Sequence, residues 1–253
     1  MKTLNNIKLL ILFFAIAFFS CNNNNTKEAK QENIITEGDS YQFDIENTKV
    51  IWNGYKTNDK IKVVGYFNEF SCDRENQEFS SIEDLVNGLQ FSIKSSSSVS
   101  GDAMRDQNLK DHFFKYLTED FVINGTLGSP INDSIDVTFN VFGQTKQIRL
   151  GFLYNIIPGC PYFDHIVEIK GSINLESQFD ALKAYNAISN KCYDLHKGAD
   201  GISKTWKQVD VHVKALVINT SYNSIRQEDS NAVDRYGDKV RLISIEEIFA
   251  RHD

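Results

Sequence analysis

The chain has 253 residues, with 27 Lys and Arg against 34 Asp and Glu, 4 Cys and a net charge of −7. Its length excludes a disulfide-stapled miniprotein, and the acidic balance argues against a nucleic-acid binder, because phosphate neutralisation needs a local excess of Lys and Arg. With 18 Phe, 10 Tyr and only 3 Pro, the composition favours one or two packed β-rich domains over a low-complexity chain.

Lys2 and Lys8 precede an apolar run, Leu9 to Phe19, that ends at Ser20 and Cys21. Such a run is too short to span a bilayer, so residues 1–20 read as an export signal. The sequence Phe18-Phe19-Ser20-Cys21 resembles a bacterial lipobox, with Phe18 standing where Leu is usual. That resemblance implies cleavage before Cys21 and lipidation of its thiol; an ordinary secretory signal is the alternative. Asn22 to Ser40 contain no aromatic residue and many Asn, Lys, Glu and Gln, so residues 21–40 are expected to form a flexible tether spanning roughly 24 Å. Asn22, rather than Asp, follows Cys21. By similarity to Gram-negative lipoproteins, this implies anchoring at the periplasmic face of the outer membrane, with more than one acyl chain needed for stable attachment.

From Tyr41 onward the hydrophobic period is two. Val50, Trp52 and Gly54 alternate with Ile51, Asn53 and Tyr55, and Val63, Gly65 and Phe67 alternate with Lys62, Val64 and Tyr66. Phe91 to Ile93 and Phe121 to Thr126 add two short strands. Val137, Phe139 and Val141, then Ile148, Leu150 and Phe152 beyond the Gly143-Gln144 turn, predict a hairpin. His165, Val167, Ile169 and Ile173 share a face, as do Val209, Val211, Val213, Ala215 and Val217. Two interruptions look helical. Asp102 is placed to cap Ala103 to Tyr116, with Asp106 and Lys110 as an i,i+4 pair, and Phe179 to Leu195 carry helical spacing closed by Gly198. The expected fold is all-β: an antiparallel eight-stranded lipocalin-like barrel with two short helical insertions, over residues 41–217.

Three ordered motifs carry a family resemblance. Val50-Ile51-Trp52-Asn53-Gly54 with Val64-Gly65-Tyr66-Phe67, then Arg105-Asp106-Gln107-Asn108-Leu109 followed by Phe113, and then Gly143-Gln144-Thr145-Lys146-Gln147-Ile148 resemble the YceI-like family of polyisoprenoid-binding, lipocalin-like bacterial proteins. Asp194 to Trp206 are similar to a variant seen in its lipoprotein members. The resemblance covers about Tyr41 to Val217. It implies a barrel that holds a long apolar chain, such as a polyprenyl or isoprenoid-quinone tail. The helix around Leu182 to Leu195 and the continuation past Val217 depart from the shorter members.

Strand parity places Trp52, Phe67, Phe91, Ile93, Phe139, Val141, Ile148, Leu150, Val167 and Val211 on inward faces, where they are expected to touch the apolar tail. Arg105 and Asp106 either greet a headgroup at the rim or hold the short helix to the barrel, the structural role being favoured. His165 lies on an apolar strand face, as a polar group at the mouth or as a satisfied structural histidine, the latter favoured. His196, near Asp194, Asp200 and Ser203, invites a metal or hydrolase reading, but no second ligand sits at suitable spacing. No His-x-x-x-His, Cys-x-x-Cys, Gly-x-Ser-x-Gly or P-loop pattern occurs.

Cys72, Cys160 and Cys192 remain after Cys21; export permits a disulfide, and the sequence does not choose the pair. Asp73 to Glu78 and Ser95 to Ser100 read as exposed polar loops. Residues 218–253 are charged, but Leu242, Ile243, Ile245, Ile248 and Phe249 weaken a disordered reading.

These readings converge on a non-enzymatic, envelope-anchored protein that sequesters or carries an isoprenoid or other long-chain amphiphile. It is expected to need no cofactor, no metal and no nucleic acid; its partners are the ligand, the membrane and a second copy of the chain. The rival is an interaction or structural protein whose barrel is filled by its own side chains. A hydrolase using His196 ranks third.

Overall fold

The computed structural model describes residues 38–118, 120–141, 143–158, 160 and 162–227. The signal segment, Cys21, the tether as far as residue 37 and the extension beyond residue 227 lie outside the described residues.

The chain folds mostly as β-structure. In order come β1 (Tyr41–Lys56), β2 (Ile61–Phe67), β3 (Phe70–Cys72), α1 (Ile82–Val86), β4 (Gln90–Lys94), β5 (Ser98–Val99), α2 (Ala103–His112), β6 (Val122–Leu127), β7 (Ser134–Val141), β8 (Gln144–Ile156), β9 (His165–Asn174), α3 (Leu182–Lys191) and β10 (Gln208–Asn219). All strands join one curled antiparallel sheet in the order β3-β4-β6-β7-β8-β9-β10-β1-β2-β5. The sequence predicted eight strands, and the sheet has ten. The difference arises at two bends: β2 runs into β3 through Asn68 and Glu69, and β4 into β5 through a 3-10 turn at Ser95–Ser97. The Ser95 to Ser100 stretch is therefore not a solvated loop. Ser95 and Ser98 are buried, and Ser95 donates to the Phe121 carbonyl at 3.0 Å.

β1 carries a wide bulge. Between Asp44 and Lys49 it advances five residues while β10 advances two, from Leu216 to Lys214. The odd number of extra residues reverses strand parity, so Tyr41 and Phe43 before the bulge and Val50 and Trp52 after it all face the interior. Asp44 holds the bulge by accepting from the Asn47 backbone and amide groups at 3.1 and 2.7 Å.

The helices gather at the two ends of the sheet. α1, which periodicity did not reveal, is capped by Ser81 and places Ile82, Leu85 and Val86 in the core. With Tyr41, Tyr154 and His165 it closes the lower end; Tyr154 donates to Glu83 at 2.5 Å, and the Tyr41 and His165 rings meet edge to face at 5.4 Å. α2 and α3 cover the opposite end. Asp102 caps α2 by accepting from the Arg105 amide at 3.0 Å, as the sequence predicted, but the helix gives way to a 3-10 turn at Phe114–Tyr116. α3 is shorter than its periodicity suggested: it ends at Lys191, and Gly198 belongs to a small turn with its amide on the Ile202 carbonyl rather than to the helix end. Cys72, Cys160 and Cys192 are unpaired thiols, so no disulfide joins the described cysteines.

Candidate functional site

A cavity of about 470 Å³ runs inside the curled sheet, and its walls differ. On the β6 to β9 side, Val137, Phe139, Leu150, Val167, Ile169 and Ile173 are buried in a continuous core. On the β10, β1 and β2 side, Val50, Val63, Val209, Val211 and Val213 line the cavity yet stay only partly buried. Val50, Val211 and Val213 are paired on both sides, so their residual exposure comes from unfilled space in front of them. Val86 and Leu89 form the floor, and Leu109, Phe113, Phe114 and Phe179 narrow the roof.

Two glycines admit the large rings that shape the wall. The Trp52 indole lies across Gly65 and donates from Nε1 to the buried Ser98 hydroxyl at 3.0 Å. Phe91 covers Gly125, its cross-strand partner, and meets Phe139 edge to face at 5.8 Å. In each pair a side chain in place of glycine would occupy the volume of the ring.

Of the residues expected to contact a ligand, Trp52, Phe67, Phe91, Ile93, Phe139, Leu150, Val167 and Val211 line the cavity. Val141 and Ile148 do not. Both are 2% exposed and belong to the packed core near the β7–β8 turn, which the cavity does not reach. His165 is absent from the lining as well; it is 3% exposed at the closed end, where burial lowers its pKa from the ordinary histidine value.

The Arg105 and Asp106 pair divides. Asp106 accepts from the Ser100 amide at 2.9 Å and the Ser100 hydroxyl at 2.5 Å, tying α2 to the end of β5; it forms no ion pair with Lys110. Arg105 instead lines the cavity, 3.4 Å from Asp102. Beside it Met104 is 70% exposed, and across the opening Leu195 is 59% exposed; both also line the cavity, so the mouth lies between α2 and the segment after α3.

Val50 and Val213 share the strand faces of Trp52 and Val211 and line the cavity with them, although the expected contact set omitted both; Lys56, two residues beyond Gly54 on the same face, was not singled out by the sequence. Lys56, His196 and Thr205 supply polar lining at the α3 end. His196 Nδ1 lies 2.7 Å from the Thr205 hydroxyl, and Tyr185 donates to the Thr205 carbonyl at 2.9 Å. Burial, and then the charge of Lys56, lower the His196 pKa, keeping the imidazole neutral at pH 7. Asp194 pairs with Lys197, and Asp200 is held by Asn58 and the Ile202 amide. His196 is thus bonded to neither Asp194 nor Ser203, and the hydrolase arrangement is not assembled. Among the described residues no three His, Cys, Asp or Glu side chains cluster as a metal site.

No family model matches the chain, and no curated protein matches its sequence. Solved structures do. The chain is similar to a polyisoprenoid binding domain from Saccharophagus degradans, implicated in plant cell wall breakdown, with 13% identity over 71% of this chain and 98% of that one and a TM-score of 0.48. It is similar to BcnA of Burkholderia cenocepacia with 14% identity, 70% and 100% coverage and a TM-score of 0.44. A YceI protein of Campylobacter jejuni aligns with 18% identity over 58% of this chain and 83% of that one, with a TM-score of 0.37. The structures similar to this chain therefore include a protein bearing the YceI name.

Proposed function

We propose that the protein binds the apolar chain of a long amphiphile, of isoprenoid or similar type, inside the curled sheet and carries or sequesters it at the bacterial envelope. In this reading β2 with β3 and β4 with β5 are two bent strands. Paired as β2–β5 and β3–β4, and joined by the Asn68 amide on the Ser97 carbonyl at 3.2 Å, they make the sheet an eight-stranded barrel. Export through residues 1–20, lipidation of Cys21 and a tether to the outer membrane keep the barrel beside its source of ligand. No covalent chemistry is involved.

The observation that carries the reading is the incomplete burial of Val50, Val211 and Val213 along a cavity whose charged lining groups, Lys56, Asp102 and Arg105, stand at its mouth and α3 end. A barrel filled by its own side chains would bury these valines as fully as Val137 and Val167 are buried. An apolar chain is the natural filling, since each CH₂ removed from water contributes about 0.8 kcal/mol before ordering costs.

Native mass spectrometry of protein purified from bacterial cells without detergent, followed by solvent extraction, tests the proposal. A stoichiometric adduct that extracts as a polyprenyl or quinone-type lipid is expected. A bare mass that persists after incubation with such lipids would overturn the carrier reading in favour of the filled-barrel protein.

A further inference from the structure

The proposed apolar cargo leaves the chemistry of its head open, and the α3 end of the cavity bears on it. Lys56 is the last residue of β1, on the same period-two face as Trp52, and is partly buried in the cavity wall. Among the described residues its ammonium has no hydrogen-bonding or ion-pair partner, although its backbone pairs with Ile61 and Thr205. The carboxylates placed around this end are committed elsewhere. Asp194 holds Lys197, Glu176 holds Lys207, Asp200 is occupied by Asn58 and the Ile202 amide, and Asp210 accepts from Tyr55, Ser172 and Gln208. Lys60, the next lysine in the chain, donates to Gln208 at 2.8 Å and lies over the Tyr55 and Trp206 rings. Lys56 is therefore a cation left uncompensated in the wall of a largely apolar cavity.

His196 stands beside it. When Nδ1 accepts the Thr205 hydroxyl proton at 2.7 Å, the ring N–H is on Nε2 and remains available to a ligand. An ammonium and an imidazole N–H at one end of an apolar cavity are a donor set for oxygen anions. Resting on the carrier reading, we propose that the bound amphiphile has an anionic oxygen head, a phosphate or carboxylate, held by Lys56 with His196, and that its apolar chain runs past Val211 and Val213 toward Val86. Arg105, at the mouth and already beside Asp102, is the weaker competitor for that head. A neutral quinone or alcohol would leave the Lys56 charge uncompensated.

Displacement of bound phenylnaphthylamine from the detergent-free protein by farnesyl phosphate and by farnesol tests this. The phosphate is expected to displace the dye at a concentration lower by about tenfold or more, the scale of one charge-assisted hydrogen bond. Lys56→Met should bring the two ligands to equal potency, and Lys56→Arg should restore most of the preference, which a merely structural lysine would not do. Equal displacement by both ligands in the unaltered protein, or a phosphate preference that survives Lys56→Met, overturns the assignment. Millimolar inorganic phosphate should leave the thermal midpoint unchanged; a rise matching that given by farnesyl phosphate would mark a free-anion site and overturn the headgroup role. Displacement by neither farnesyl ligand would refute the carrier reading itself, and this inference with it.

Discussion

Trp52 and Gly65 face one another across β1 and β2, and the indole occupies the space a side chain at position 65 would need: an added Cβ would stand 2.2 Å from Cζ2 and 2.4 Å from Cε2. The same indole donates to Ser98 of β5, so one ring ties three strands together beside the bend of β2 into β3. Gly65→Ala should therefore act on the ring rather than on the backbone. We expect it to expel the indole, break the Ser98 bond and cost about 1–3 kcal/mol. Urea unfolding followed by the fluorescence of Trp52 in a Trp206→Phe background reads both effects. An unchanged midpoint and emission maximum would mean that the ring–glycine contact contributes nothing.

A second prediction separates Arg105 from Asp106. Asp106 fastens α2 through two bonds to Ser100, so Asp106→Ala should lower stability by about 1–3 kcal/mol. Arg105 has a partly exposed side chain and a 3.4 Å contact to Asp102, a pair of the kind that contributes at most about 1 kcal/mol. Arg105→Ala should leave the unfolding midpoint nearly unchanged while altering entry at the mouth, measurable as a changed dye association rate in stopped flow. Equal destabilisation by the two substitutions would contradict this division of roles.

The contrast between Asp106 and Lys56 shows which features the sequence made legible. Local signals were legible: a period of two identified most strands, and an aspartate just before a helical stretch identified the cap of α2. Lys56, at the end of β1, went unremarked until the structure placed it in the cavity wall. Where the empty space lies is not local. Val141 and Val211 both lie on inward faces, but the packing of Phe139, Phe179 and Leu150 fills one side and leaves the other open. The sheet's two bends were hidden for a related reason: a serine run reads as solvated until Trp52 and Phe121 are seen to claim its hydroxyls and bury them. α1, only five residues long, falls below the length at which helical periodicity registers.

Acid should weaken the fold in two separable steps. Burial lowers the pKa of His165 and His196 below the ordinary value of 6.5, for His165 against the opposing hydrogen bond to the Phe163 backbone and the charges of Asp164, Asp39 and Glu83. The unfolded chain then takes up protons that the folded one refuses. The stability this gives is present above the unfolded value and is lost as pH falls below it, by up to about 1.4 kcal/mol per pH unit for a fully excluded proton. His196, being partly exposed, contributes less. Asp210 is held below the ordinary 3.8: burial pushes it up, but hydrogen bonds from Ser172, Tyr55 and Gln208 prevail. Its contribution should survive the first step and disappear only at more acid pH. Thermal midpoints measured from pH 8 to 3 are expected to be flat near neutrality and to begin falling near pH 6.5. His165→Phe should flatten the upper step while leaving the lower one. A single step confined to the carboxylate range would show that both histidines titrate normally.

Filling the cavity distinguishes a binding barrel from a packed one. Val213 pairs with Val50 across β10 and β1, and both side chains remain partly exposed to the internal space, whereas Val141 is 2% exposed within the core. Val213→Phe would extend a ring from the cavity lining into the unfilled space. It should hold or raise the thermal midpoint, because each added buried carbon contributes up to about 0.8 kcal/mol, while lowering dye affinity by about tenfold or more through lost ligand volume. Val141→Phe forces the same ring into occupied space and should cost about 1–3 kcal/mol. Its main effect should be on stability rather than on dye affinity. Val213→Phe should thus lose dye affinity without losing stability, and Val141→Phe the reverse; equal destabilisation by both would mean that Val213 is packed as tightly as Val141 and that the barrel holds no room for a ligand.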